Sequence, residues 1–142
     1  MLQSGQYIQA TPLLSGDYFE GARILVVKHE QDESIGFITN RSFPKHLNEL
    51  VEFSHCPPVP LWEGGPIGQD HLYMVHRRPD LIDGGHRLVE GLYWGGSMDD
   101  LVAALALQEI QADQFTLFLG YCGWDAGELD QEFTEGCWLQ QS

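Results

Sequence analysis

Two short apolar, β-branched runs stand close together, Arg23 to His29 (RILVVKH) and Ile35 to Thr39 (IGFIT). Runs of this length and composition predict strands, and the polar stretch Glu30 to Ser34 between them is short enough for a hairpin loop. Beyond Pro44, the spacing of Leu47, Leu50 and Val51 predicts a short amphipathic helix. His55-Cys56-Pro57-Pro58-Val59-Pro60 reads as a rigid connector, because each proline removes an amide donor from any helix or ladder. It does not divide the chain, since the apolar pattern resumes at Leu61-Trp62. Strands are expected over Leu72 to His76 and Leu88 to Trp94, separated by a turn around Asp83-Gly84-Gly85. The clearest helix starts at Ser97, whose hydroxyl can cap the amide near Asp100, while Asp99 and Asp100 suit the positive end of the helix dipole. Its body, Leu101 to Ile110, is apolar on most faces and belongs in the interior. Phe115 to Tyr121 (FTLFLGY) is a central-strand candidate. Gly123-Trp124 is then expected to turn the chain into an acidic helix from about Gly127 to Thr134, which Gly136 stops. Strands and helices alternate without a strict βαβ rhythm, which predicts a single mixed α+β domain spanning residues 1–142.

Composition supports a folded interior: 43% of the 142 residues are hydrophobic, enough for one core without metal or disulfide staples. Charge narrows the partners. Seven Lys and Arg face twenty-one Asp and Glu, a formal charge of −14. The last basic residue is Arg87, and ten acids follow it. Such a chain repels nucleic-acid phosphates and offers no run of cations for counterion release, so direct nucleic-acid binding is not expected. The best remaining basic cluster is Arg77-Arg78 with Arg87. The acids either keep a small domain soluble or face a basic partner. Cys56, Cys122 and Cys137 form no CxxC pair, and an odd, widely spaced set fits free thiols in a reducing cytoplasm. The N-terminal MLQSGQYIQATPLL lacks the basic and apolar regions of a signal peptide, and no apolar stretch approaches the roughly 18–20 residues that cross a bilayer. A soluble cytoplasmic protein is the expectation.

Candidate chemistry is sparse. Gly64-Gly65-Pro66-Ile67-Gly68 lacks the lysine of a phosphate-binding loop and reads as a turn holding the backbone close to a neighbour or a ligand. The six histidines include no HxxxH pair and no Cys/His quartet, so neither metal nor cofactor is expected. There is no GxSxG elbow, and the serines are read as standing in turns or caps. Glu128 and Glu132 are four apart on a helix face, which reads as a solvated face. Gly120-Tyr121-Cys122-Gly123-Trp124 combines two glycines with two aromatics carrying polar tips, a composition suited to a pocket wall or to a packed corner. Asn40-Arg41 holds one of the few cations, suited to an anion or to local acids. The candidate ligand residues are therefore Asn40, Arg41, Gly64, Gly65, Tyr121 and Trp124. A non-catalytic binding or regulatory protein, working through a protein partner or a small ligand, is the leading expectation. The alternative is a small hydrolase-like enzyme using His29 or His76 with Glu63 as acid/base groups.

Taken together, several strings resemble the YqgE/AlgH family of bacterial proteins over nearly the whole chain. The opening P-x-L-x-D-P-x-F of that family stands here as Pro12, Leu14 and Phe19, and its G-x-x-x-N-R as Gly36 to Arg41, after a strand ending in His29. Its GGPV is similar to Gly64-Gly65-Pro66-Ile67, its L-H strand end to Val75-His76, and its GYAGW to Gly120-Tyr121-Cys122-Gly123-Trp124. Gly127, Glu128, Leu129, Asp130 and Glu132 follow its G-Q-L-E-x-E pattern, and Trp138 its closing tryptophan. Departures occur at Gly16-Asp17, Ala22-Arg23 and Glu33-Ser34, where the family has Asp-Pro, Ser-Val and Gly-Ala. The resemblance implies an α+β domain with a strongly bent mixed sheet or small β-barrel flanked by helices. It implies no established activity, although some members are described as transcriptional regulators. No helix-turn-helix pattern or basic recognition helix accompanies that description here.

Overall fold

Ten strands and two α-helices make up the computed structural model, which describes residues 2–89 and 91–141. In chain order they are β1 (Tyr7–Ala10), β2 (Arg23–His29), β3 (Glu33–Ile38), β4 (Ser42–His46), β5 (Pro60–Glu63), β6 (Ile67–His76), β7 (His86–Val89), β8 (Leu92–Trp94), α1 (Met98–Ala106), β9 (Phe115–Asp125), α2 (Glu128–Thr134) and β10 (Trp138–Gln141). The sheet runs β10-β1-β2-β3-β9-β6-β8-β7, with β4 and β5 attached through β5 to β9. Every pairing is antiparallel except β5 with β9. The path ends at two edges, β10 and β7, so the bent sheet is the form adopted and the barrel is not closed.

The bend lies in β9. Phe115 to Leu119 is sandwiched between β5 and β6, whereas Cys122 to Asp125 pairs with β3 in a different layer. Gly120 sits between the halves at φ +79, a conformation that favours glycine, and the register on β6 shifts opposite it between Ile67 and Leu72. One strand thus serves two layers, as strands do where sheets turn a corner.

This arrangement explains the unbroken apolar runs. Ile24 and Val26 on β2 face a core under α2 with Ile8, Trp124, Leu129 and Trp138, while Leu25 and Val27 face the space between the layers with Phe37, Val75 and Phe118. Likewise Phe118 points between the layers, and Leu117 and Leu119 point to a third core beneath α1 with Met74, Ile82 and Leu101. Strands buried on both faces lose polar alternation.

The helix at Ser97 forms as expected, with its hydroxyl accepting from the Asp100 amide at 3.2 Å. It ends at Ala106, short of Ile110, because Gln108 takes a left-handed φ of 58 and the amides of Gln108 and Glu109 bond back to the carbonyls of Leu105 and Ala104. Elsewhere the elements depart from expectation. Gly123-Trp124 does not turn the chain: β9 continues to Asp125 because β3 offers it a ladder, Ser34 facing Trp124 and Ile35 facing Gly123. The turn falls at Gly127, φ 76. Leu88 to Trp94 is a hairpin of β7 and β8 folded at Gly91, φ 77. The amphipathic helix after Pro44 is instead two 3-10 turns, Leu47–Glu49 and Val51–Phe53, broken by extended backbone at Leu50 and tethered by the Leu47 amide to the Val59 carbonyl. Ser34 stands on a strand and not in the hairpin loop. No described helix is long and apolar enough to cross a membrane.

Candidate functional site

The end of β3 places Asn40 and Arg41 beside the loop that precedes β2. The Asn40 side chain accepts from the Arg23 amide at 3.0 Å and donates to the Gly21 carbonyl at 2.9 Å, closing that loop onto the strand. Arg41 donates to the carbonyls of Tyr18 and Glu20, lies 4.8 Å over the Tyr18 ring, and approaches Glu63 at 3.8 Å. The Tyr18 hydroxyl donates to the same Glu63 carboxylate. Burial and that carboxylate push the Tyr18 hydroxyl well above its ordinary range. This cation is engaged by two carbonyls, a ring and a carboxylate, and what the node does is fasten the loop to β5.

Gly64 and Gly65 lie against Gly120, Tyr121 and Cys122. A Cβ on Gly64 would fall 2.4 Å from the Gly120 carbonyl oxygen, and one on Gly120 would fall 2.3 Å from that of Gly65. The Gly64 amide donates to Leu119, and its carbonyl accepts from the Ile38 amide at 2.8 Å and from the Cys122 thiol at 3.3 Å. Cys122 is fully buried, and burial pushes its thiol up to about 12. Tyr121 is half-buried and meets Tyr73 edge-on at 5.4 Å.

Trp124 is elsewhere, 5% exposed in the core under α2. It stacks on Phe19 at 6.3 Å and meets Trp138 edge-on at 6.1 Å. Both indole N–H groups donate to one oxygen of Glu132, at 3.0 Å from Trp124 and 2.8 Å from Trp138. Glu132 is therefore an anchor for two buried rings, a correction to its reading as part of a solvated face. The six candidate residues fall in three places: Gly64, Gly65 and Tyr121 meet at the corner, Asn40 and Arg41 fasten the adjoining loop, and Trp124 packs inside.

Glu63 has Tyr18 and Arg41 as its partners, and His29 and His76 have others. His29 Nδ1 is 2.7 Å from the Ser34 hydroxyl and Nε2 is 3.3 Å from Asp130. The sequence hides this Ser-His-Asp array because Ser34 looks like part of the hairpin loop; the β3 alternation carried back to Glu33 places it opposite His29. Ser34 is only 4% exposed, so its hydroxyl is closed to a substrate, and the array bolts α2 to the β2–β3 hairpin. His76 is 1% exposed, accepts from the Arg78 amide at 3.1 Å and stacks on Tyr93 at 5.7 Å; burial lowers its pKa and keeps it neutral. Among the described residues, no group of three or more His, Cys, Asp or Glu is arranged to hold a metal. Within the basic cluster, Arg78 is engaged: it forms a fork with Asp80 at 2.8 and 2.9 Å and also reaches Gln114.

A cleft of about 290 Å³ opens where the two layers part. Tyr7 and Leu25 line it from one layer, and Trp62, Val75, Leu92 and Phe118 from the other. Thr39, Arg77, Asp113 and Thr116 add polar groups. Sequence reasoning missed it because its walls come from segments as far apart as Tyr7 and Phe118, joined only by the fold of the sheet.

Residues 7–142 match the AlgH-like family (DUF179). The chain is 35% identical over 138 residues to the UPF0301 protein CT0663 of Chlorobaculum tepidum, covering 97% of this chain and 74% of that one. It is 33% identical over 137 residues to a UPF0301 protein of Bacteroides thetaiotaomicron, covering 95% and 69%. In structure it is similar to the AlgH protein of Pseudomonas aeruginosa, with a TM-score of 0.78 at 22% identity over 97% of this chain and 76% of that one. Protein DIP2367 of Corynebacterium diphtheriae gives a TM-score of 0.77 at 23% identity over 99% and 75%. At these identities the structural likeness establishes the fold.

Proposed function

The chain belongs to the AlgH-like family, and from that premise we propose that it is a non-catalytic binding protein that takes a small molecule into the cleft between its sheet layers. The observation that carries this reading is the cleft itself. Concave sites with converging polar groups are the usual places for ligands, and this one sets the polar groups of Thr39, Arg77, Asp113 and Thr116 beside aromatic side chains. Among the described residues, the Tyr7 hydroxyl, the Trp62 indole N–H and the Thr116 hydroxyl make no hydrogen bond within the protein, whereas the groups of Arg41, Glu63, His29 and Glu132 are engaged in holding loops and helices. A reducing compartment suits its three free thiols. A part in transcriptional control would run through ligand or protein contacts, because a charge of −14 opposes direct contact with DNA.

The test is a fragment screen followed by amide and indole NMR on nitrogen-15-labelled protein. Binders should shift Trp62, Thr116 and Phe118 together, and Thr116→Trp, which fills the cleft, should abolish the shifts while preserving the rest of the spectrum. A screen whose binders all leave the cleft resonances unmoved refutes the reading.

A further inference from the structure

The rim of the cleft carries one charge of each sign above an aromatic interior, and from this we infer that its ligand is a small aromatic zwitterion of the α-amino-acid type, an inference that rests on the cleft reading above. Of the seven cations, Lys28, Arg41 and Arg78 pair with carboxylates. Arg77 is exposed, lines the cleft, and has no ion-pair partner among the described residues. Asp113 lines the same end. The two are held near each other by the backbone, because the Arg77 amide donates to the carbonyl of Gln114, next in chain to Asp113, at 2.8 Å.

Each part of the cleft then restricts the ligand. The guanidinium offers forked donors to a carboxylate, and the Asp113 carboxylate accepts from an ammonium group. A purely anionic ligand meets the long-range repulsion of a −14 chain, and a purely cationic one meets Arg77; a molecule bearing both charges is neutral at a distance and satisfied on contact. Trp62 is the half-buried ring in this wall that favours an aromatic body over an aliphatic one, since Phe118 is already stacked on Phe37 and the Tyr7 ring carries the Arg23 guanidinium at 3.7 Å. The volume of about 290 Å³ lies at the small end of ligand pockets, roughly 300–1,000 Å³, and favours a single-ring or indole body over a nucleotide.

The experiment titrates the labelled protein with L-phenylalanine, with 3-phenylpropanoate, which lacks the ammonium, and with 2-phenylethylamine, which lacks the carboxylate. L-phenylalanine should shift the Trp62 indole together with the Leu92 and Phe118 amides, with an affinity at least about tenfold above either analogue. Arg77→Ala should weaken L-phenylalanine and 3-phenylpropanoate but spare 2-phenylethylamine, and Asp113→Asn should do the converse. Equal binding of the three compounds, or indifference to both substitutions, overturns the inference. Failure of L-phenylalanine to bind while neutral fragments still occupy the cleft also overturns it and leaves the binding-protein reading standing. An absence of any cleft binder removes both.

Discussion

Gly65 lies so close to Tyr121 that a Cβ on the glycine would be 2.1 Å from the tyrosine carbonyl carbon and 2.2 Å from its oxygen. Both partners are backbone, so neither can swing aside. The crossing of the Gly64-Gly65 segment over β9 is therefore what the absence of two side chains makes possible. Gly65→Ala should destabilise the protein by about 2–4 kcal/mol, seen as a lower urea midpoint. Gly16→Ala is the comparison: its φ of 84 is left-handed but nothing lies within 4 Å of the added carbon, so the expected loss is only about 1–2 kcal/mol. Gly65 itself has no left-handed φ, so a loss no larger than that of Gly16→Ala would show that the close approach relaxes.

Glu132 holds Trp124 and Trp138 by one carboxylate oxygen. Glu132→Ala leaves two indole N–H groups in a buried setting without acceptors, and should cost about 2–4 kcal/mol with loss of near-ultraviolet dichroism. Glu132→Gln keeps an accepting oxygen and should cost about 1 kcal/mol. A Gln variant as unstable as the Ala variant would assign the role to charge.

His76 makes stability depend on pH in a fixed direction. Its Nδ1 accepts from Arg78, and its Nε2 faces the Gly95 backbone without reaching a hydrogen bond. Burial lowers its pKa below the ordinary value of about 6.5, so in the window beneath that value the unfolded chain binds the proton and the folded one does not. This contribution is level above about pH 6.5 and is lost as pH falls through it. Acidification also relieves repulsion among carboxylates, so the decisive quantity is a difference. His76→Asn, which keeps an acceptor for Arg78, should lose less stability, or gain more, than the natural chain between pH 7.5 and 5.5 in urea titrations. Parallel pH profiles would remove His76 from the account.

The three thiols should react in an order set by burial. Burial raises all three thiols, Cys122 up to about 12, and Cys137 is also raised by nearby acids, so access decides the order: Cys122 is fully buried, Cys56 is 8% exposed and Cys137 is half-buried. An aromatic disulfide reagent at pH 8 should titrate one thiol in the folded protein and three in denaturant. Cys137→Ser should abolish the folded-state reaction. Rapid labelling of Cys122 in the folded protein would contradict its burial.

What the sequence revealed and concealed follows from where the stabilising contacts lie. β2 and β9 were legible because both faces of each are buried, which writes an uninterrupted apolar run. β1 and β10 were not: YIQA and WLQQ are short and rich in glutamine, and they become strands by pairing with each other across some 130 residues of chain, Tyr7 opposite Gln141. β4 was hidden by Pro44, which an edge strand tolerates because it needs partners on one side only. At the candidate site, the two glycines announced a close approach, but only the fold could say that the neighbour is Tyr121. Trp124 carried the composition of a binding residue, and its polar tip instead meets an acid eight positions along the chain, one helical turn into α2.

The shared strand also decides when this protein can fold. Both layers lean on β9, and β1 needs both β2 and β10 to complete its pairing. A chain in which β9 is not yet in place holds paired hairpins but no joined layers, and its interior surfaces remain open to solvent or to chaperones. The layers therefore join all at once, when the segment from Phe115 to Asp125 takes its place between them.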